Sequence, residues 1–173
     1  MAILKVRLYG DPQLRRRAEP VGAVTPELDA LIEDMIDTMY GENGIGLAAP
    51  QVGFALRLLV VDEGKGVARA YLNPVVVEQR GQAVAEEGCL SLPGIFADVA
   101  RAESVIVEAT DRTGAPIRRR ASSLLARVLQ HEIDHLDGVL FIDRLDRITR
   151  DRITRRIERH GFPKDVPAGA AVL

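Results

Sequence analysis

Ser122-Ser123-Leu124-Leu125-Ala126-Arg127-Val128-Leu129-Gln130-His131-Glu132-Ile133-Asp134-His135-Leu136-Asp137-Gly138 is the segment around which the rest of the chain must be arranged. A serine at its head can cap a helix and a glycine at its end can close one. Between them Leu124, Leu125, Ala126, Val128, Leu129, Ile133 and Leu136 put apolar groups on almost every side. A helix apolar all round is a buried helix, so the segment predicts a central one. It also carries polar side chains that a core does not tolerate without a use for them. His131 and His135 stand one turn apart on one face, with Glu132 about 100° round from His131. Two imidazoles at that spacing can grip one divalent ion, and the carboxylate can border it and act as a base toward water.

Upstream, Pro26 to Tyr40 has acidic residues early (Glu27, Asp29) and apolar ones at Leu28, Leu31, Ile32, Met35, Ile36 and Met39. That period predicts an amphipathic helix, with Thr25 as N-cap, Pro26 in the first helical position and Gly41 at its end. Gly44-Ile45-Gly46-Leu47-Ala48-Ala49-Pro50-Gln51 reads as an irregular loop where backbone comes close to something else. Leu56 to Asp62, Ala70 to Glu78 and Glu103 to Thr110 are rich in β-branched residues and predict strands, and Asp111 to Gly114 turns the chain into a further strand, Ala115 to Arg120. A last helix is expected over Arg147 to His160, stopped by Gly161-Phe162-Pro163. The expected architecture is therefore α+β, with antiparallel or mixed sheets packed around the buried helix and one further helix near each end. Residues 1–173 are read as one domain, with about 164–173 a loose tail.

A chain of 173 residues can bury a sizeable core without disulfides. Apolar residues make up 47% and charged residues 28%, a balance that excludes a disordered chain. A net charge of −2 gives no reason to expect wholesale nucleic-acid affinity. Ala2-Ile3-Leu4 meets Lys5 and Arg7 too soon for a signal-peptide core, and no apolar run approaches a membrane-spanning length. A cytoplasmic protein is expected, with neither membrane nor DNA as partner.

A catalytic metal needs a third protein ligand and one position left for water. The third histidine of an H-E-x-x-H-x-x-G-x-x-H pattern is excluded, because Phe141 stands where it would be. A downstream glutamate, Glu158 on the last helix, keeps a zinc-peptidase reading open. The single cysteine, Cys89, in Glu86-Glu87-Gly88-Cys89-Leu90-Ser91, is the other candidate. Thiolate with two imidazoles suits Fe, Zn, Ni or Co and not Mg or Ca. Ser91 has no free histidine to activate it, so a serine-hydrolase reading lacks its base.

Three segments, Gly44 to Gln51, Glu87-Gly88-Cys89-Leu90-Ser91 and Gln130-His131-Glu132-Ile133-Asp134-His135, resemble in order and spacing the three signature motifs of peptide deformylase, and the similarity runs from Asp11-Pro12 through the last helix. The resemblance implies that Cys89, His131 and His135 bind a metal, natively Fe²⁺ and replaceable by Zn²⁺, Ni²⁺ or Co²⁺. It implies removal of the N-formyl group from formyl-methionine at the start of new polypeptides, with release of formate. In that reaction hydroxide on the metal attacks the formyl carbon, and Glu132 takes the water's proton and later gives it to the leaving nitrogen. The Gln51 side-chain N–H and the Leu90 backbone N–H would stabilise the oxyanion.

By the same resemblance, Ile45 and Gly46 pair with the substrate as an added strand, and Ile45, Leu124 and Val128 line an apolar pocket for methionine. Arg127 falls where the family often has an aliphatic residue; its stem is expected inward and its charge in solvent. Phe96 stands where a basic or tyrosyl residue often meets substrate. Glu87 is expected to hold a basic side chain near the site. A reading of another class takes Arg147, Arg150, Arg152, Arg155, Arg156 and Arg159 as a basic face for ribosomal RNA, although Asp143, Asp146, Asp151 and Glu158 are interleaved with them. Ribosome contact is carried as an addition to catalysis.

Overall fold

A computed structural model describes residues 2–165 and 172–173. The first long helix, α1, spans Pro26–Gly41, and the Thr25 hydroxyl accepts from the Leu28 backbone N–H at 3.2 Å as the expected N-cap. Its buried Leu28, Ile32, Met35 and Met39 recur every three or four residues. Strands β1 (Gly46–Ala48), β2 (Leu58–Asp62), β3 (Ala68–Arg80), β6 (Ser104–Thr110) and β7 (Pro116–Ser122) form one antiparallel sheet in the order β1-β2-β3-β6-β7. A separate hairpin joins β4 (Ala83–Cys89) to β5 (Leu92–Arg101). The second helix, α2, runs Ser123–Leu136, and α3 runs Arg147–His160.

The sheet lies between two helices, and β2 shows why. Leu58 and Val60 join the cluster of Ile32, Met35 and Met39 from α1, while Leu59 and Val61 join that of Ala126, Val128, Leu129 and Ile133 from α2. These four of the five β2 residues are fully buried. A strand covered on both faces reads as a continuous apolar run, and each such side chain contributes about 2 kcal/mol of burial. The α+β fold around a buried central helix is thus the one expected.

The segment read as a loop is more ordered than its composition suggests. Gly46–Ala48 pairs with β2, and Ala49–Val52 closes into a 3₁₀ turn. The sequence does not announce the β4–β5 hairpin, because its buried residues include Glu87 and Arg101, which erase the apolar alternation of a half-buried strand. Helix α3 buries no residue fully; Ile153 and Ile157 pack against a cluster containing Leu92, Ile95, Phe141 and Ile142.

The end of α2 is fastened to distant parts of the chain. The Leu136 carbonyl accepts from Ala18 N at 2.9 Å and Arg57 Nη1 at 3.1 Å, and the Gly138 carbonyl accepts from Arg15 Nη1 at 3.2 Å. Gly138 has φ +72°, and a Cβ there would come 2.5 Å from the Arg15 carbonyl oxygen, so only glycine fits. The tail expected over about 164–173 falls mostly outside the described residues. Of its described part, Val172 bridges Gly88 in parallel register and Leu173 is 1% exposed.

Candidate metal centre

Strand β4 ends at Cys89, beside the last two turns of α2. One ligand atom each from Cys89, His131 and His135 lies within 4.8 Å of the other two, and all three residues are buried. Cys89 Sγ is 3.4 Å from His135 Nε2. Two ligands at zinc-like bond lengths and tetrahedral angles stand about 3.5 Å apart, so the pair is spaced for a shared ion. The sequence-level candidates thus converge, whereas Glu158 is exposed on α3.

The donors are poised to accept a cation. His131 Nδ1 is 2.8 Å from Glu87 Oε1. Burial alone would push the Glu87 carboxyl up, but hydrogen bonds and charge from His131 and Arg101 outweigh it and bring it down to about 2. An ionised carboxylate only accepts, so Nδ1 carries the proton and the Nε2 lone pair is left for an ion. His131 Nε2 is buried and has no partner among the described residues. Burial lowers the pKa of both histidines, His135 well below its usual value, which favours the neutral form that ligates. Burial, with the Glu132 charge behind it, pushes the Cys89 thiol up to about 12. A cation at the cluster is what turns such a thiol into a thiolate.

Glu132 is fully buried, and neither of its oxygens has a partner among the described residues. Burial raises its pKa well above the usual carboxyl range. A buried carboxyl that is unpaired among the described residues and raised is suited to take and return a proton. Gly46 sits directly over it: a Cβ there would meet Glu132 Oε1 at 2.6 Å and Val128 Cγ1 at 2.9 Å. At Gly44 an added Cβ would meet Leu90 Cδ1 at 2.9 Å. The glycines therefore let the edge of β1 close over the centre.

Gln51 is held at both ends. Its Oε1 accepts from Ala48 N at 2.9 Å, and its Nε2 donates to Ser91 Oγ at 3.2 Å and lies 3.6 Å from Cys89 Sγ. Its amide thus ties down its own loop and still presents N–H beside the cysteine. Leu90 follows Cys89 in the turn of the hairpin. Val128 is buried, Ile45 is half-buried, and Leu124 is 54% exposed on the first turn of α2. Phe96 lies across the hairpin from Gly88.

Arg127 differs from its sequence reading. Its charge is buried, not in solvent: Nη1 donates to Glu87 Oε2 and to the Val99 carbonyl, each at 2.7 Å, and Nη2 to the Ala83 carbonyl at 2.9 Å. A guanidinium with five fixed donors satisfies a carboxylate and two strand carbonyls at once, which a half-exposed position would not allow. Glu87 does hold basic side chains, as expected, and one went unnoticed in the sequence. Arg101 donates to both Glu87 oxygens, at 2.7 and 2.9 Å, and to Asp134 Oδ2 at 2.8 Å. Asp134 also accepts from Arg144 at 2.6 Å. The only signal for Arg101 was that a buried Glu87 would need a cation, and nothing in the sequence says which.

A family model described as Polypeptide deformylase matches residues 3–151. A curated peptide deformylase of Halothermothrix orenii is 48% identical over 154 residues, 88% of this chain and 100% of that protein. One of Alkalilimnicola ehrlichii is 46% identical, over 92% of this chain and 91% of that protein. The crystal structure of a peptide deformylase from Legionella pneumophila superposes with a TM-score of 0.87 at 45% identity, covering 91% of this chain and 95% of that one. That of a peptide deformylase from Ehrlichia chaffeensis in complex with actinonin gives 0.87 at 33% identity, covering 92% and 98%. With its three motifs gathered at one buried cluster and these likenesses along nearly its whole length, the chain belongs to the polypeptide deformylase family.

Proposed function

We propose that the chain hydrolyses the N-formyl group of formyl-methionine at the start of newly made polypeptides, releasing formate and a free α-amine. The observation that carries this reading is the buried meeting of Cys89, His131 and His135 with a carboxyl, Glu132, that has no partner among the described residues. A divalent ion held by those three residues supplies Lewis acidity and a water of lowered pKa. Fe²⁺ is proposed as the native ion, with Zn²⁺, Ni²⁺ or Co²⁺ able to replace it, since one thiolate and two imidazoles suit all four.

Glu132 accepts the proton of the attacking water and returns it to the departing nitrogen, which cannot leave as an amide anion. Gln51 Nε2–H and the Leu90 backbone N–H face the negative charge that develops on the formyl oxygen. Ile45 and Gly46 pair with the substrate main chain, a contact that ignores side chains and so admits many second and third residues. Methionine is taken by an apolar pocket of Ile45, Val128 and Leu124.

The test is anaerobic purification with metal quantification, followed by formate release from a formyl-methionyl tripeptide. Wild type turns over; Cys89→Ala loses both metal and turnover, and Glu158→Ala keeps both. An essential Glu158 would favour a peptidase instead. The substrate also places the protein in the cytoplasm beside the ribosome. Arg152, Arg155, Arg156 and Arg159 are all exposed on α3 next to Ile148, a surface suited to ribosomal RNA. Binding to ribosomes that falls steeply with salt and is lost on changing Arg155 and Arg156 to Ala supports that contact; binding indifferent to salt overturns it.

A further inference from the structure

Two open strand edges flank the centre. β1 is the outermost strand of the large sheet, and its Gly46 abuts Glu132 and Val128. Among the described residues β4 has a strand, β5, on one side only, and its last residues are Gly88 and Cys89. The open edge of β4 is taken by this chain itself. Val172 forms a parallel bridge with Gly88, and the Leu173 backbone N–H donates to the Gly88 carbonyl at 3.1 Å. Parallel pairing with Val172 beside Gly88 directs Leu173 toward Cys89. The Leu173 side chain is 1% exposed and belongs to the apolar cluster of Val128, against which Ile45 and Leu125 also pack.

A backbone bonded to an open edge, with an aliphatic side chain sunk in the apolar cluster that includes Val128, is what a methionyl peptide would present to this groove. We propose that Val172-Leu173 is a built-in competitor that occupies the substrate's groove and must be displaced before formyl-methionine can bind. The proposal rests on the deformylase reading for the identity of the displaced substrate. The bond to the Gly88 carbonyl and the place in the cluster of Val128 are available to one occupant at a time. Self-occupation therefore raises the apparent KM by the reciprocal of the open fraction and leaves kcat unchanged, because Leu173 is gone once substrate is bound.

The experiment compares the metal-loaded wild type with Leu173→Asp and with a chain ending at Asp165. In both altered proteins KM for a formyl-methionyl tripeptide falls about threefold or more while kcat stays the same. In the wild type the Leu173 amide is slow to exchange with deuterium, and saturating methionyl tripeptide abolishes that protection. Thermal melting confirms that the altered chains are folded. An unprotected Leu173 amide, protection that persists under saturating peptide, or an unchanged KM in the chain ending at Asp165 would overturn the proposal. Absence of formate release from all three proteins, with the amide still protected, would defeat the deformylase reading and leave self-docking standing.

Discussion

Arg127 Nη1 lies 2.7 Å from Glu87 Oε2, while the other oxygen of the same carboxylate, Oε1, lies 2.8 Å from His131 Nδ1. One buried acid thus links a guanidinium on the second turn of α2 to an imidazole one turn further on, and Arg101 secures it from β5. The orientation of His131 is set by charges that never touch a substrate.

Arg127→Ala should destabilise the fold by about 3 kcal/mol, since it strands part of a buried carboxylate and two strand carbonyls. It should also weaken metal retention by about tenfold or more, because the residue that orients His131 is loosened. Denaturant unfolding and metal content after dialysis measure the two effects. Arg127→Lys should restore little of either, since one ammonium cannot reach all three acceptors.

Glu132→Ala is expected to keep its metal and lose about 10²- to 10⁴-fold in kcat. Formate release alongside metal quantification separates the two. Full activity in a metal-loaded Glu132→Ala protein would remove this carboxyl from the proton path.

Gln51→Leu takes away the N–H beside Cys89 and also the acceptor for Ala48 N. Losing one oxyanion donor raises the barrier by about 3 kcal/mol, so kcat should fall about two orders of magnitude with metal still bound. A loss confined to KM would place Gln51 in binding alone.

Glu87 also sets an acid limit on stability. Its folded pKa of about 2 lies below its ordinary 4.5, so its contribution is fully present above 4.5 and is lost as pH falls toward 2. The shift corresponds to about 3 kcal/mol. In metal-free protein, the stability gap between wild type and Glu87→Gln should be widest above pH 5 and close steadily below 4.5, as read by urea unfolding at each pH.

What the sequence discloses tracks how locally each feature is encoded. Helices α1 and α3 were legible to within a residue because Thr25 and Pro26, or Gly161 and Pro163, mark their ends. The pair His131 and His135 was legible from spacing alone, and Cys89 from being the one cysteine in a motif of known kin. The hairpin that carries Cys89 was not, since Glu87 and Arg101 occupy its inward positions and make sense only once they meet. Arg127 was misread for the same reason: its partners lie 28 to 44 residues away.

The fastening of α2 to Ala18 and Arg57 has a consequence for when the protein becomes competent. Its reactive groups come from positions 51, 89 and 131 to 135, and the helix bearing three of them ends in the Leu136 carbonyl, which is bonded to the far earlier Ala18 and Arg57. In a growing copy those anchors emerge before α2 does, so the last part of the centre to arrive is the helix that carries His131, Glu132 and His135. The copy stays chemically silent until the stretch through Gly138 has cleared the exit tunnel and docked.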